Sequence, residues 1–393
     1  MSANRVPRLG LERLVCWSLV SAIFWGQNGC QPTSTQSTST APLPVHGDSN
    51  RPEPTDDQLR QTLDEMLDFT LRERQLTLTE NAAWQILHGV LAYEHALPIH
   101  VGAGSPPVSA IAYLQSGGRM EGWELRPGEI LDPTSGRKGL RALVEPGTLT
   151  GQGHVDQWLA ILAQCGLQPT DSLQLAGVSY TLDDFLQQSM RDIGQNRDQE
   201  YSWTLISIVH YRPTDVTWKT PEGDVWNVER IVASEAQQDL GSSACGGTHR
   251  LSALAMALQR HQQQGRPVTG GWALAQQVVE QSVATVRGYQ NPDGSLSSHY
   301  FQRGGQSADL ADTIRTTGHT LEFLALALSD EDLRQPWVRK AVVRLCDAFK
   351  KTKRLPLECG ALYHAARGLR LYRDRIYGER GFELPADNRT ASL

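Results

Sequence analysis

Six strongly apolar stretches recur along the chain, starting near Trp84 (WQILHGVLAY), His154 (HVDQWLAILAQC), Ser202 (SWTLISIVHY), Thr248 (THRLSALAMALQ), Gly318 (GHTLEFLALALS) and Cys359 (CGALYHAARGLRLY). Each is apolar around most of a helical circumference and carries His, Trp, Tyr or Cys at or near an end. A helix that is apolar all round must be buried on every side. Between them run amphipathic stretches with one apolar stripe. The first covers residues 56–73, with Leu59, Leu63, Met66 and Leu67 at helical spacing. Others are marked by Leu182, Phe185 and Leu186; by Val228, Ile231 and Val232; by Leu274, Val278, Val279 and Val283; and by Trp337, Ala341, Val342 and Leu345, with Pro336 suited to a first helical turn. Inner helices alternating with outer ones predict an all-α, (α/α)6-like toroid of helical hairpins with small β insertions.

One outer helix is missing from the pattern, between Tyr93 and His154. That interval reads as strand-like at residues 110–114, 122–125 and 137–145, broken by Gly and Pro. A hairpin is expected at 216–226, with its turn at 220–223. Insertions of this kind tend to line an open face, where loops carry function.

The first 30 residues read as an export leader. Arg5, Arg8 and Arg13 precede an apolar run at 14–25 that suits a signal peptide better than a membrane span. Gly29-Cys30 resembles a lipobox, with Gln27 where Leu is usual, so lipidation at Cys30 is expected. The Ser/Thr/Pro-rich segment 31–55 reads as a disordered tether. The expected organisation is leader 1–30, tether 31–55, toroid 56–376 and tail 377–393, in a membrane-anchored lipoprotein of the cell envelope or periplasm. The formal charge of −6, without a basic run, argues against nucleic acid as a partner. Cys165, Cys245, Cys346 and Cys359 are too few and too scattered for a disulfide scaffold.

Candidate chemistry gathers at the polar tips. His154, His249 and His319 fall at expected helix N-termini, where the helix dipole keeps imidazole neutral and able to act as base or ligand. Near them in sequence lie Glu322, Arg315, His299, Tyr300, Tyr363 and His364. His249, His319, His364, Tyr363 and Glu322 are the candidate catalytic groups. His154, Cys245, Arg315, His299 and Tyr300 are the candidate ligand contacts. Glu235, Asp239 and Glu358 could supply the carboxylate pair that glycoside hydrolysis needs, though a solvated helix end suits each of them as well. Trp123, Trp218, Trp226 and Tyr289 could stack on sugars or merely cover the rim.

No cofactor is implied. Zinc is weighed because Cys245 and His249 are four residues apart, with Cys359 and His364 on a neighbouring hairpin. Gly246-Gly247 places the helix start near Thr248, and five residues separate Cys359 from His364, so inert thiols or a disulfide are preferred and no metal site is assigned. No phosphate-binding glycine loop, Gly-x-Ser-x-Gly or His-Glu-x-x-His motif occurs.

The string QNPDGSL at 290–296 resembles the Gln…Asp-Gly-Ser repeats of the terpenoid cyclase and protein prenyltransferase superfamily of α/α toroids. That resemblance implies a structural role for Asp293, as a clamp between outer helices. Tyr363-His364 looks like the Tyr-His of prenyltransferase β-subunits, where the His ligates zinc. The companion Asp-x-Cys motif has no match here, and Asp309 with Asp312 only echoes the acid-rich cyclase motif. The strings EYSWTLISIVHY, SSACGGTHRL, YQNPDGS, TTGHTLEFLALAL and ECGALYHAARGL are similar to an exported bacterial family, some members of which are labelled ADP-ribosylation-factor-directed GTPase activators. The paired Cys-x2-Cys spacing of such activators is absent. The expected function is binding of a small molecule, glycan or peptide in a central His-lined cavity. A glycan lyase or hydrolase of the envelope and a non-catalytic interaction module are the alternatives, and whether the protein is an enzyme stays open.

Overall fold

The computed structural model describes residues 53–196 and 200–385. The leader, Cys30 and most of the tether lie outside the described residues. The protein is mostly helical, about 53%, with thirteen α-helices and a few small strands among the described residues.

In chain order, α1 (Asp56–Glu73) is followed by β1 (Leu76–Thr77), α2 (Ala83–Tyr93), β2 (Pro98–His100), β3 (Val108–Ser109) and α3 (Ala110–Gln115). Then come β4 (Leu125–Asp132), β5 (Arg137–Ala142), α4 (Gln157–Gln164), β6 (Ser172–Leu175), β7 (Val178–Thr181), α5 (Leu182–Asp192) and α6 (Ser202–Tyr211). Next are β8 (Thr217–Lys219), β9 (Val225–Asn227), α7 (Val228–Ala236), α8 (Thr248–Gln263) and α9 (Gly270–Gly288). The chain ends with α10 (Leu310–Ala327), α11 (Asp330–Leu333), α12 (Pro336–Lys351) and α13 (Cys359–Tyr377).

The caps explain where several helices begin. Thr55 and Gln58 form a reciprocal capping box on α1, Thr181 and Asp184 do the same on α5, and Pro336 opens α12. β1 pairs parallel to β2 and β2 antiparallel to β3, while β4–β5, β6–β7 and β8–β9 are antiparallel ladders. The last two hairpins each lead directly into an amphipathic helix, α5 and α7.

The apolar segments became the interior. Every residue of α2 except Gln85 is buried, and α4 is buried from Gln157 to Ala163. Among these helices α13 lies against α2 and α10, α8 against α6 and α10, and α4 against α2 and α6. The amphipathic helices pack outside them: α1 on α12 and α13, α5 on α4 and α6, α7 on α6 and α8, α9 on α7 and α8, α12 on α10. The approach of α10 to α13 depends on glycine. A Cβ on Gly318 would stand 2.3 Å from Cβ of Ala365, and one on Gly368 2.9 Å from the backbone N of Glu322. The two backbones therefore nearly touch.

Three expectations are corrected. Residues 122–124 are turn and coil, and only Leu125 of that run enters β4. Residues 110–114 form a helix, not a strand, with the Ser109 hydroxyl accepting from the N–H of Ala112. And α10 starts at Leu310, eight residues before the expected Gly318, so His319 sits in mid-helix.

The QNPDGSL loop ties α9 to α12. Asp293 accepts from the N–H and hydroxyl of Ser295 (3.0 and 2.6 Å) and pairs with Arg344 at 2.9 Å. Gln290 donates to the carbonyls of Gly294 and Trp337, and a Cβ on Gly294 (φ +88°) would meet the carbonyl oxygen of Lys340 at 2.6 Å. Only glycine fits that combination of space and backbone angle.

Candidate functional site: a buried imidazole cluster

Five imidazoles meet in the interior. They come from His88 on α2, His154 just before α4, His249 on α8, His319 on α10 and His364 on α13. Ring centroids lie 4.2 Å apart for His319–His364, 5.5 Å for His249–His364, 6.1 Å for His249–His319, 5.4 Å for His154–His249 and 5.2 Å for His88–His364. Trp203 of α6 closes one side, 5.1 Å from His249.

The rings are anchored in a common way. Nδ1 of His88 lies 2.6 Å from the carbonyl oxygen of Trp84, and Nδ1 of His319 lies 2.7 Å from that of Arg315, each one helical turn back. Nδ1 of His364 lies 2.6 Å from Glu322, and Nδ1 of His154 lies 3.1 Å from Glu200. Carbonyl and carboxylate oxygens can only accept, so each Nδ1 carries the proton. The neutral rings of His88 and His319 then hold a bare lone pair on Nε2. His249 is different, because both of its ring nitrogens are buried with no hydrogen-bond partner. Leaving such groups unpaired costs about 1–3 kcal/mol each, which calls for an explanation.

Burial pushes the basicity of His249 and His319 well below that of a free imidazole, with neighbouring imidazoles adding to the effect. His88 falls to about 3, chiefly through burial and then through His364. The carboxylates are held charged. Burial raises Glu322, but His364 and Arg367 outweigh it and bring the carboxyl down to about 2. Burial opposes the charge of Glu200 too, and His154 beside it prevails, leaving it below the usual range. Arg367 pairs with Glu322 and donates to Gln164 at 2.8 Å. A cavity of about 20 Å³, room for about one water, is lined by His249, His364, Glu322, Arg367, Thr248, Ser252, Trp203 and others.

Of the residues singled out in the sequence, His154, His249, His319, His364 and Glu322 meet in this cluster. Cys245 joins them from the turn before α8, where Cys245, Gly246 and Gly247 all have positive φ. The helix does start at Thr248, as the glycines implied, but the left-handed turn folds the sulfur back toward His249. Tyr300, itself at φ 53°, lays its ring against Gly246 and accepts from Arg315, which pairs with Asp312. Those groups stand one layer out. Tyr363 turns elsewhere: its hydroxyl donates to the carbonyl of Arg74 and its ring meets Tyr93 edge-on. His299 packs against Gly305 in the loop.

The expected dipole argument holds only for His249 in the first turn of α8. His319 lies in the tenth position of α10, so burial, not a helix N-terminus, keeps its imidazole neutral. The three outlying acids all cap or brace backbone. Glu235 pairs with Arg250 and accepts from Tyr201 N–H and Ser202, Asp239 accepts from Gly241 and Ser242, and Glu358 caps α13. Trp226 is buried, Trp218 donates to the Met190 carbonyl and Trp123 packs on Trp158, so these rings are cover rather than an exposed sugar platform.

The sequence reading missed His88, Glu200 and Arg367. His88 and Arg367 had a signal, as polar residues inside otherwise apolar helices, with Arg367 one turn past His364. Glu200 had none.

Among the described residues, two groups can hold a cation. The ligand atoms of Cys245, His249 and His319 lie within 4.8 Å of one another, and so do those of His154, Glu200 and His249. Cys165, Cys245, Cys346 and Cys359 form no disulfide among the described residues. Among the described residues no helix is long and apolar enough to cross a membrane. No family model matches the chain, and no curated protein matches it in sequence.

Proposed function

We propose that the inner helices close an (α/α)6-like toroid, and that this exported, lipid-anchored protein binds a small ligand at the imidazole cluster in its centre. The pairings α2–α4–α6–α8–α10–α13–α2 support the closed arrangement. The observation that carries the binding site is His249, buried with two unpartnered nitrogens and ringed by His154, His319 and His364 at 5.4–6.1 Å. The lone pair on Nε2 of His319 and the one a neutral His249 carries are buried and need a hydrogen-bond donor or a cation as partner. The ligand is therefore a donor, such as a hydroxyl of a glycan fragment, or a positive ion. A phosphate or carboxylate would meet acceptors, and Arg367, the guanidinium lining the cavity, is already committed to Glu322. Glycoside hydrolysis is disfavoured, since Glu200 and Glu322 are both held ionised and neither serves as general acid.

His249→Phe tests the reading. It removes two buried orphan nitrogens while nearly keeping the volume, so it should raise stability by about 1–3 kcal/mol and abolish binding in a calorimetric screen of glycans, peptides and cations. A destabilised variant that still binds would refute the site.

A second reading, a non-catalytic module with a filled centre, is favoured by the small size of the 20 Å³ cavity. Its contact surface would lie outside, for instance at the 360 Å³ groove between Glu94, Arg370 and Phe382. Binding that survives His249→Phe but fails in Arg370→Glu would select it.

A further inference from the structure

We infer that Cys245, His249 and His319 form a site for one zinc ion with an open fourth position. This deepens the ligand reading above and rests on it. The ligand atoms already lie within 4.8 Å of one another. Tetrahedral zinc with bonds of about 2.0–2.3 Å would set them roughly 3.3–3.8 Å apart, so a shift of about 1 Å closes the site.

Three features prepare it. The turn before α8 holds Cys245 at φ 48°, ψ 36°, a left-handed conformation that a non-glycine residue adopts only at a cost in strain. What that cost secures is a thiol turned back over the first turn of α8, where His249 is the second residue. Next, His319 is bonded through Nδ1 to the carbonyl of Arg315, which fixes its tautomer and leaves the Nε2 lone pair to coordinate a metal. Metal-bound histidines are commonly held this way by a backbone carbonyl or carboxylate. Finally, His249 has nothing else to bond.

The competing set, His154–Glu200–His249, fits less well. The carboxylate of Glu200 is already engaged with Nδ1 of His154, which makes it an orienting group for that ring. One sulfur and two imidazoles favour zinc over magnesium or calcium. Three protein ligands leave the fourth position for water, and the cavity beside His249 has room for about one. On binding, the Cys245 thiol gives its proton to solvent and coordinates as thiolate, so affinity should fall as the pH is lowered.

The test uses the full chain, stripped with a chelator and titrated with Co²⁺ as a spectroscopic stand-in for Zn²⁺. The inference predicts one equivalent bound, with a thiolate-to-cobalt charge-transfer band that Zn²⁺ displaces. Cys245→Ser should lose the band. His319→Gln should weaken binding by at least the ~10–100-fold seen when an orienting partner is removed. Cys346→Ser, a buried thiol on α12 away from the cluster, should keep both band and affinity, and far-UV circular dichroism would show each variant folded. Cobalt bound without the charge-transfer band would overturn the ligand set. Absence of binding would overturn the metal site alone if a neutral donor ligand still binds in a His249-dependent way, and would overturn the cavity reading too if none does.

Discussion

Acidification should unfold this protein through its interior rather than its surface. His88 titrates near 3 in the native state against 6.5 for an ordinary imidazole, because burial disfavours the charged ring. Between those values the unfolded chain binds a proton that the folded chain refuses. Stability is therefore complete above 6.5 and is lost as the pH falls toward 3. At about pH 5 the shortfall is roughly 1.5 units at 1.36 kcal/mol per unit, or about 2 kcal/mol from this one ring. His249 and His319 are depressed in the same direction for the same reason and add to the loss. Glu322 contributes further down, since its carboxyl titrates near 2 rather than 4.5, so its contribution is present above 4.5 and lost as the pH falls through 2. Urea unfolding of the chelator-treated chain at about pH 7.5 and about pH 5, in wild type and His88→Gln, isolates the first of these. The variant should lose about 2 kcal/mol less than wild type over that step. A wild type equally stable at both pH values, or a variant with the same pH slope, would refute the reasoning.

Gly318→Ala drives a methyl to 2.3 Å from Ala365 and should cost about 1–3 kcal/mol, read as a lowered Tm, whereas Gly194→Ala, with nothing within 4 Å, should stay within about 0.5 kcal/mol. Glu322→Gln strips the charge that partners Arg367 and His364 and should destabilise by about 3–5 kcal/mol, with Arg367→Met recovering part of the loss in the double mutant. Asp293→Ala leaves the Arg344 guanidinium buried without its partner and should cost about 1–3 kcal/mol by denaturant unfolding, loosening the α9–α12 tie.

How far the sequence discloses this arrangement varies by element. The bounds of α1 were legible because a capping box and a clean stripe mark them, and the 216–226 hairpin because turn residues separate two short strands. The first part of α10 was hidden by buried Thr313 and Thr316, whose hydroxyls bond back to the Asp309 and Asp312 carbonyls and so need no polar surroundings. The β6–β7 hairpin was missed because its turn is Ala176-Gly177, with Ala176 at φ 50°, instead of Asn-Gly or Asp-Gly. At the site, polar tips were visible one by one. Their convergence was not, since His154, His249 and His319 are separated by 95 and 70 residues and meet only through helix packing. The Cys245 geometry was equally hidden, because a strained left-handed turn has no spacing rule.

Neutral rings, anchored at Nδ1 and bare at Nε2, are what make the cluster a binding site. Long-range ¹H–¹⁵N correlation on histidine-labelled, metal-free protein at neutral pH reads that state directly. His88 and His319 should each show a protonated Nδ1 and an unprotonated Nε2. Imidazolium signals, or the proton on Nε2, would contradict it.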